Sequence, residues 1–146
     1  MSNIRTKTSV EPKDAYVLVV EDNLQNLILV ARLLALIGIR RYEWKASGWR
    51  VLEFADTMPK LDLVLMDIHL PYEDGYDALS KLRADPRFVN TRIVAVTADA
   101  NQGSMQKAKL AGFDGFLGKP IDPDRFPDQI RAILQGDEVW NLGYYY

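Results

Sequence analysis

Cysteine is absent from the chain and histidine occurs once, as His69. Without cysteine there can be no disulfide, no thiolate zinc site and no thiol nucleophile. With one histidine, a metal held by several imidazoles is excluded within a single chain. Long hydrophobic runs are missing too. The longest, Leu27 to Ala31 and Leu33 to Gly38, are interrupted by Arg32 and too short to span a bilayer. No block of basic residues stands out, and 18 Lys and Arg against 20 Asp and Glu give a formal charge of −2. Nucleic-acid binding therefore has no electrostatic footprint. The polar N-terminus carries no apolar signal core, so a cytoplasmic protein without membrane association is expected. The first apolar run is not followed by G-x-G-x-x-G, which removes the usual dinucleotide fingerprint.

What is present is an alternation. A length of 146 residues suits one domain with a substantial core. Tyr16–Val20, Arg41–Lys45, Leu61–Met66, Arg92–Val96 and Gly115–Leu117 read as five strands. Helices are expected after Asn23 as far as Gly38, from Trp49 to Met58 with Ser47 as cap, and through Tyr76, Leu79 and Leu82 up to Asp85-Pro86. A fourth runs from Asn101 to Ala111, with Gly112 behind it, and a fifth from Asp122-Pro123 to Gln135. Pro127 conflicts with an early start for the last helix, because a proline inside a helix removes a needed hydrogen bond. Five βα units predict a parallel sheet with helices on both faces, a doubly wound three-layer sandwich. Residues 1–14 read as a flexible tail, 15–136 as the domain, and 137–146, ending in Tyr144-Tyr145-Tyr146, as a short aromatic tail.

Polar residues fall where the apolar runs stop. The first strand ends in Glu21-Asp22, the third in Asp67, the fourth in Thr97, and the fifth runs into Gly118-Lys119-Pro120. In a parallel α/β sheet these carboxyl ends share one edge, where ligands bind. Three carboxylates there suit a divalent cation such as Mg²⁺ or Mn²⁺, which takes oxygen ligands and relieves the repulsion of crowded acids. A carboxylate can also attack phosphorus. The ammonium of Lys119 would neutralise phosphoryl charge, and the Thr97 hydroxyl could donate to a phosphoryl oxygen.

Together these motifs resemble the receiver domain of two-component response regulators, of the single-domain, chemotaxis-regulator-like kind, with a flavodoxin-like fold. The resemblance covers roughly residues 15–135. It rests on Val19-Val20-Glu21-Asp22-Asn23, Leu65-Met66-Asp67-Ile68-His69-Leu70-Pro71 with Asp74-Gly75, Val96-Thr97-Ala98, and Gly115-Phe116-Leu117-Gly118-Lys119-Pro120. Asp22, Asp67, Thr97 and Lys119 follow one another at intervals of 45, 30 and 22 residues. The resemblance implies that Asp67 is the phospho-acceptor in a phosphorelay. Asp22 would be the direct metal ligand, Glu21 its acidic neighbour, and the backbone carbonyl of His69 a further ligand. Thr97 and Phe116 would form the switch, His69 and Asp99 would tune the lifetime of the aspartyl phosphate, and the Lys119-Pro120 bond would be cis.

The implied function is a stand-alone regulator, phosphorylated by a sensor histidine kinase or histidine phosphotransfer protein. It hydrolyses its own phosphoryl group slowly and turns over no external substrate. The implied output is a downstream protein or a homodimer, met through the fourth helix, fifth strand and fifth helix. Three other readings compete. A small-molecule phosphohydrolase of the haloacid-dehalogenase kind needs Asp two residues after the nucleophile, where this chain has His69. A nucleotide-binding domain lacks its glycine motif. A bare scaffold would have no reason to keep the charge cluster. The segment Tyr42-Glu43-Trp44, with Trp49, is not typical of the family.

Overall fold

The computed structural model describes residues 7–70 and 73–143. Pro71 of the third-strand motif and the Tyr144-Tyr145-Tyr146 end lie outside the described residues. The strands are β1 (Tyr16–Val20), β2 (Arg41–Lys45), β3 (Leu63–Met66), β4 (Arg92–Thr97), β5 (Gly115–Gly118) and β6 (Val139–Asn141). The helices are α1 (Leu24–Leu36), α2 (Val51–Ala55), α3 (Gly75–Arg83), α4 (Gln102–Ala111) and α5 (Phe126–Leu134). The sheet order is β2-β1-β3-β4-β5-β6, parallel throughout. The order turns back at β1, which sits between β2 and β3 and makes the crevice at the carboxyl ends.

Strand alternation divides the core in two. Val17, Val19, Leu63, Leu65, Val94, Val96 and Leu117 face α1 and α5, meeting Leu27, Val30, Leu34, Phe126, Ile130 and Ile133. Leu18, Val20, Val64, Met66, Ile93, Ala95 and Phe116 face the other way, onto α2, α3 and α4. This is the doubly wound sandwich expected from the alternation.

Local chemistry sets several boundaries where they were read. The Asn23 side chain accepts the Asn26 N–H at 3.0 Å and starts α1. Asn101 and Ser104 form a reciprocal capping box on α4, which ends at Gly112 with φ +110°.

Others differ. α2 is five residues long, not ten: Arg50 adopts φ +56° and cannot belong to a right-handed helix, so the helix begins at Val51. Ser47 still accepts the Trp49 N–H at 3.3 Å, ahead of the helix. α5 begins at Phe126, which places Pro127 in the first turn, where its missing N–H costs nothing. A sixth strand extends the five, because Val139–Asn141 pairs with Gly115, Phe116 and Leu117. At the other end, the Val10 N–H donates to the carbonyl of Leu134 at 2.7 Å, so part of segment 7–14 lies against α5.

Candidate functional site

Every predicted site residue except Phe116, which lies inside β5, sits at the carboxyl edge of the sheet or in the loops just beyond it. β1 delivers Glu21 and Asp22, and β3 delivers Asp67, whose N–H donates to the Val20 carbonyl at 3.0 Å. That bond ties the two acidic ends together. Ligand oxygens of Glu21, Asp22 and Asp67 lie within 4.8 Å of one another, and this is the one such acidic cluster among the described residues. Glu21 and Asp67 are 5% and 9% exposed, whereas Asp22 is open to solvent.

Lys119 binds two of the three. Its Nζ donates to Glu21 Oε1 at 2.6 Å and to Asp67 Oδ2 at 2.7 Å. Burial is the largest single influence on this ammonium and works against its charge. The hydrogen bonds and charges of Asp67 and Glu21 outweigh it, and the pKa stands above the ordinary lysine value. The Lys119-Pro120 peptide is cis, as the resemblance implied, and the Lys119 N–H donates to the Thr97 carbonyl at 2.8 Å.

The second oxygen of Asp67, Oδ1, accepts the His69 N–H at 3.1 Å. Behind that loop, the Gly75 N–H donates to the Ile68 carbonyl at 2.8 Å. A Cβ on Gly75 would stand 2.8 Å from both the Asp67 carbonyl oxygen and Ile68 Cα, so only glycine lets α3 close on the loop after β3. Asp74 caps α3 by accepting the Asp77 N–H.

Thr97 is fully buried, and its Oγ1 accepts the Asp99 N–H at 3.2 Å. Phe116 is fully buried as well, packed toward α3 and α4. The rings and carboxylates nearer solvent also pair: His69 Nε2 is 3.3 Å from Asp99 Oδ2, and Asn101 Nδ2 donates to Asp99 Oδ1 at 3.2 Å. The edge therefore collects Glu21, Asp22, Asp67, His69, Thr97, Asp99 and Lys119, and leaves Phe116 beneath it in the core.

Sequence reasoning missed one contact of the acidic cluster. The indole N–H of Trp44, on β2, donates to the Glu21 carbonyl at 2.7 Å. Its only signal was an unusual tryptophan on a polar strand.

The donor set fits a hard divalent cation. Three carboxylates against one ammonium leave negative charge to be offset, and all the ligand atoms are oxygens.

Comparison with known proteins agrees with this geometry. Residues 17–131 match the family model of the response regulator receiver domain. The chain is 38% identical over 123 residues to the signal transduction histidine-protein kinase BarA of Escherichia coli K12, covering 84% of this chain but only 13% of BarA. It is 32% identical over 118 residues to the polar-differentiation response regulator DivK of Brucella ovis, covering 81% of this chain and 94% of DivK. Among solved structures, the receiver domain of the sensor histidine kinase PA1611 from Pseudomonas aeruginosa superposes with a TM-score of 0.72 at 31% identity, over 84% of this chain and 98% of that one. That structure has a magnesium ion coordinated in its active-site cleft. On these matches the chain belongs to the response regulator receiver domain family, with its flavodoxin-like fold.

Proposed function

We propose that the chain is a phosphorylation switch. Asp67 takes a phosphoryl group from the phosphohistidine of a sensor histidine kinase or a histidine phosphotransfer protein. The observation that most supports this is the pinning of Asp67 by Lys119 at 2.7 Å within a cluster of three carboxylates. In the transfer, a carboxylate oxygen of Asp67 attacks phosphorus. The new O–P bond forms as the N–P bond breaks, and the electron pair of the broken bond returns to the donor's imidazole nitrogen. An ionised carboxylate needs no general base. Lys119 counters the charge on the phosphoryl oxygens, and the His69 N–H orients the carboxylate through Oδ1.

Glu21, Asp22, Asp67 and the backbone carbonyl of His69 would hold Mg²⁺ or Mn²⁺, which supplies charge neutralisation for the transferring group. Water attacks the phosphorus of the aspartyl phosphate, the bond to the Asp67 oxygen breaks, inorganic phosphate leaves and the carboxylate of Asp67 is restored. The exposed His69–Asp99 pair at the mouth sets the rate by admitting or steering that water. The chemistry is confined to Asp67, so the protein is a switch and not an enzyme with an external substrate.

The new charge draws the Thr97 hydroxyl toward the phosphoryl group, and Phe116 repacks into the space it leaves. Phe116 has no hydroxyl, so this relay works by packing. The output face lies on the α4, β5 and α5 side of the domain and meets a downstream protein or a second copy of the chain. β6 lies along the outer edge of β5, with Lys109 of α4 4.6 Å above the Trp140 ring, so the partner meets α4, α5 and β6 on this side. Among the described residues no helix is long and apolar enough to cross a membrane, and we place the switch in the cytoplasm, where its kinase partners present phosphohistidine.

Incubation with acetyl phosphate tests the reading. Intact mass should show one added phosphoryl group in the wild type, dependent on Mg²⁺, and none in Asp67→Asn. Equal labelling of the two proteins would refute it.

A further inference from the structure

The aromatic segment of β2 has no part in the chemistry above. β2 is an outer strand of the sheet, and Trp44 on it is 41% exposed. Its indole N–H nevertheless finds a main-chain partner, the carbonyl of Glu21 at 2.7 Å. The N–H of the same residue donates to the Lys45 carbonyl at 2.9 Å. Two consecutive residues of β2 therefore hold both backbone polar groups of Glu21.

The reason lies in where β2 stops. In a parallel ladder the Glu21 carbonyl would be met by a main-chain N–H further along the neighbouring strand. β2 ends at Lys45, so that donor is not supplied by the ladder. The Trp44 indole takes its place. The Glu21 side chain is held by Lys119 at 2.6 Å and, from the other half of the same peptide, by the Asp22 N–H, which donates to Glu21 Oε2 at 3.1 Å. Asp22 is exposed, and its carboxylate hangs from the peptide whose carbonyl Trp44 grips.

We propose that Trp44 is a positioning residue of the cation site. By clamping the Glu21–Asp22 peptide it presets the Asp22 carboxylate beside Asp67, so that less ordering is left for the ion to impose. The inference rests on the reading of this cluster as a divalent-cation site.

The test is calorimetric titration of Mg²⁺ into three proteins. These are the wild type, Trp44→Phe, and a protein carrying 3-benzothienylalanine at position 44, which keeps the ring shape and puts sulfur in place of the N–H. Loss of one such hydrogen bond should weaken Mg²⁺ binding about fivefold in both variants. The benzothienyl protein guards against a packing defect in Trp44→Phe. Wild-type affinity in the benzothienyl protein overturns the inference, whatever its melting temperature, because a merely structural indole would alter stability and leave the affinity alone. A wild type that binds no Mg²⁺ overturns the cation site itself and this inference with it.

Discussion

Lys119 Nζ lies 2.7 Å from Asp67 Oδ2, and both side chains are nearly closed to solvent. The same ammonium holds Glu21 at 2.6 Å. Lys119→Gln would leave two buried carboxylates facing each other without a counter-charge. Breaking a buried pair in this way costs about 3 kcal/mol. The variant should melt well below the wild type in the absence of divalent cations. Mg²⁺ should raise its melting temperature more than it raises that of the wild type, because the ion takes over charge that Lys119 carried. Thermal unfolding with and without Mg²⁺ checks both statements, and equal responses of the two proteins would count against the shared cluster.

The raised pKa of Lys119 makes alkaline stability a second readout. In the unfolded chain the lysine loses its proton near its ordinary value of about 10.4. The folded protein keeps the proton to higher pH. Through that interval the native state binds more protons, so stability falls as pH rises. The contribution is complete below about pH 10.4 and is gone once pH passes the folded value. Denaturant unfolding measured as a function of pH should therefore show a steeper alkaline decline in the wild type than in Lys119→Gln. Parallel curves would mean that the ammonium gains nothing from its partners.

Much of this site was legible because the physics was local. A valine- and leucine-rich strand with an acid at its end needs no tertiary information to place that acid at a sheet edge. Asn101 and Gly112 mark α4 by capping chemistry alone. The features that escaped depend on neighbours distant in sequence. β6 is three residues long and exists because β5 offers an edge with glycine at both ends, so residues 137–146 read as a tail. The late start of α2 comes from the left-handed backbone at Arg50, which nothing in an arginine announces. The Trp44 clamp joins two strands through one indole N–H.

Thr97 links the site to α4 through two hydrogen bonds by way of Asp99. Its Oγ1 accepts the Asp99 N–H at 3.2 Å, and Ser104, in the first turn of α4, donates from Oγ to the Asp99 carbonyl at 2.6 Å. Thr97→Val keeps the shape of the buried side chain and removes the hydroxyl. The lost bond should cost about 1 kcal/mol. Asp67 should still accept a phosphoryl group from acetyl phosphate, since Thr97 is not the nucleophile. The response of α4 should be lost. Amide NMR of residues 99–104, compared before and after phosphorylation, should show shifts in the wild type that largely disappear in the variant. Equal shifts in both would remove Thr97 from the relay.

Gly118 lies under β6 so closely that no side chain fits. A Cβ there would run into the carbonyl oxygen and carbon of Leu142, just past β6, and would stand 2.7 Å from the Ala100 Cβ. Gly115 meets the Val139 carbonyl oxygen in the same way, at 2.8 Å. Main chain cannot yield as a side-chain tip does, so Gly118→Val must displace something. The edge strand is the cheaper element to move: three paired residues hold it, whereas β5 is locked between β4 and the core. The variant should lose about 1–3 kcal/mol, in the range of other overpacking changes. Hydrogen exchange should show the amides of residues 139–143 losing protection while those of β1, β3 and β4 keep theirs. Detachment would also uncover Trp140, which pairs with Phe116 across the ladder, and so open the side of the domain proposed to meet partners. Retained protection at 139–143 in the folded variant would show that the sheet accommodates the side chain some other way, and that β6 is bound more firmly than its three pairings suggest.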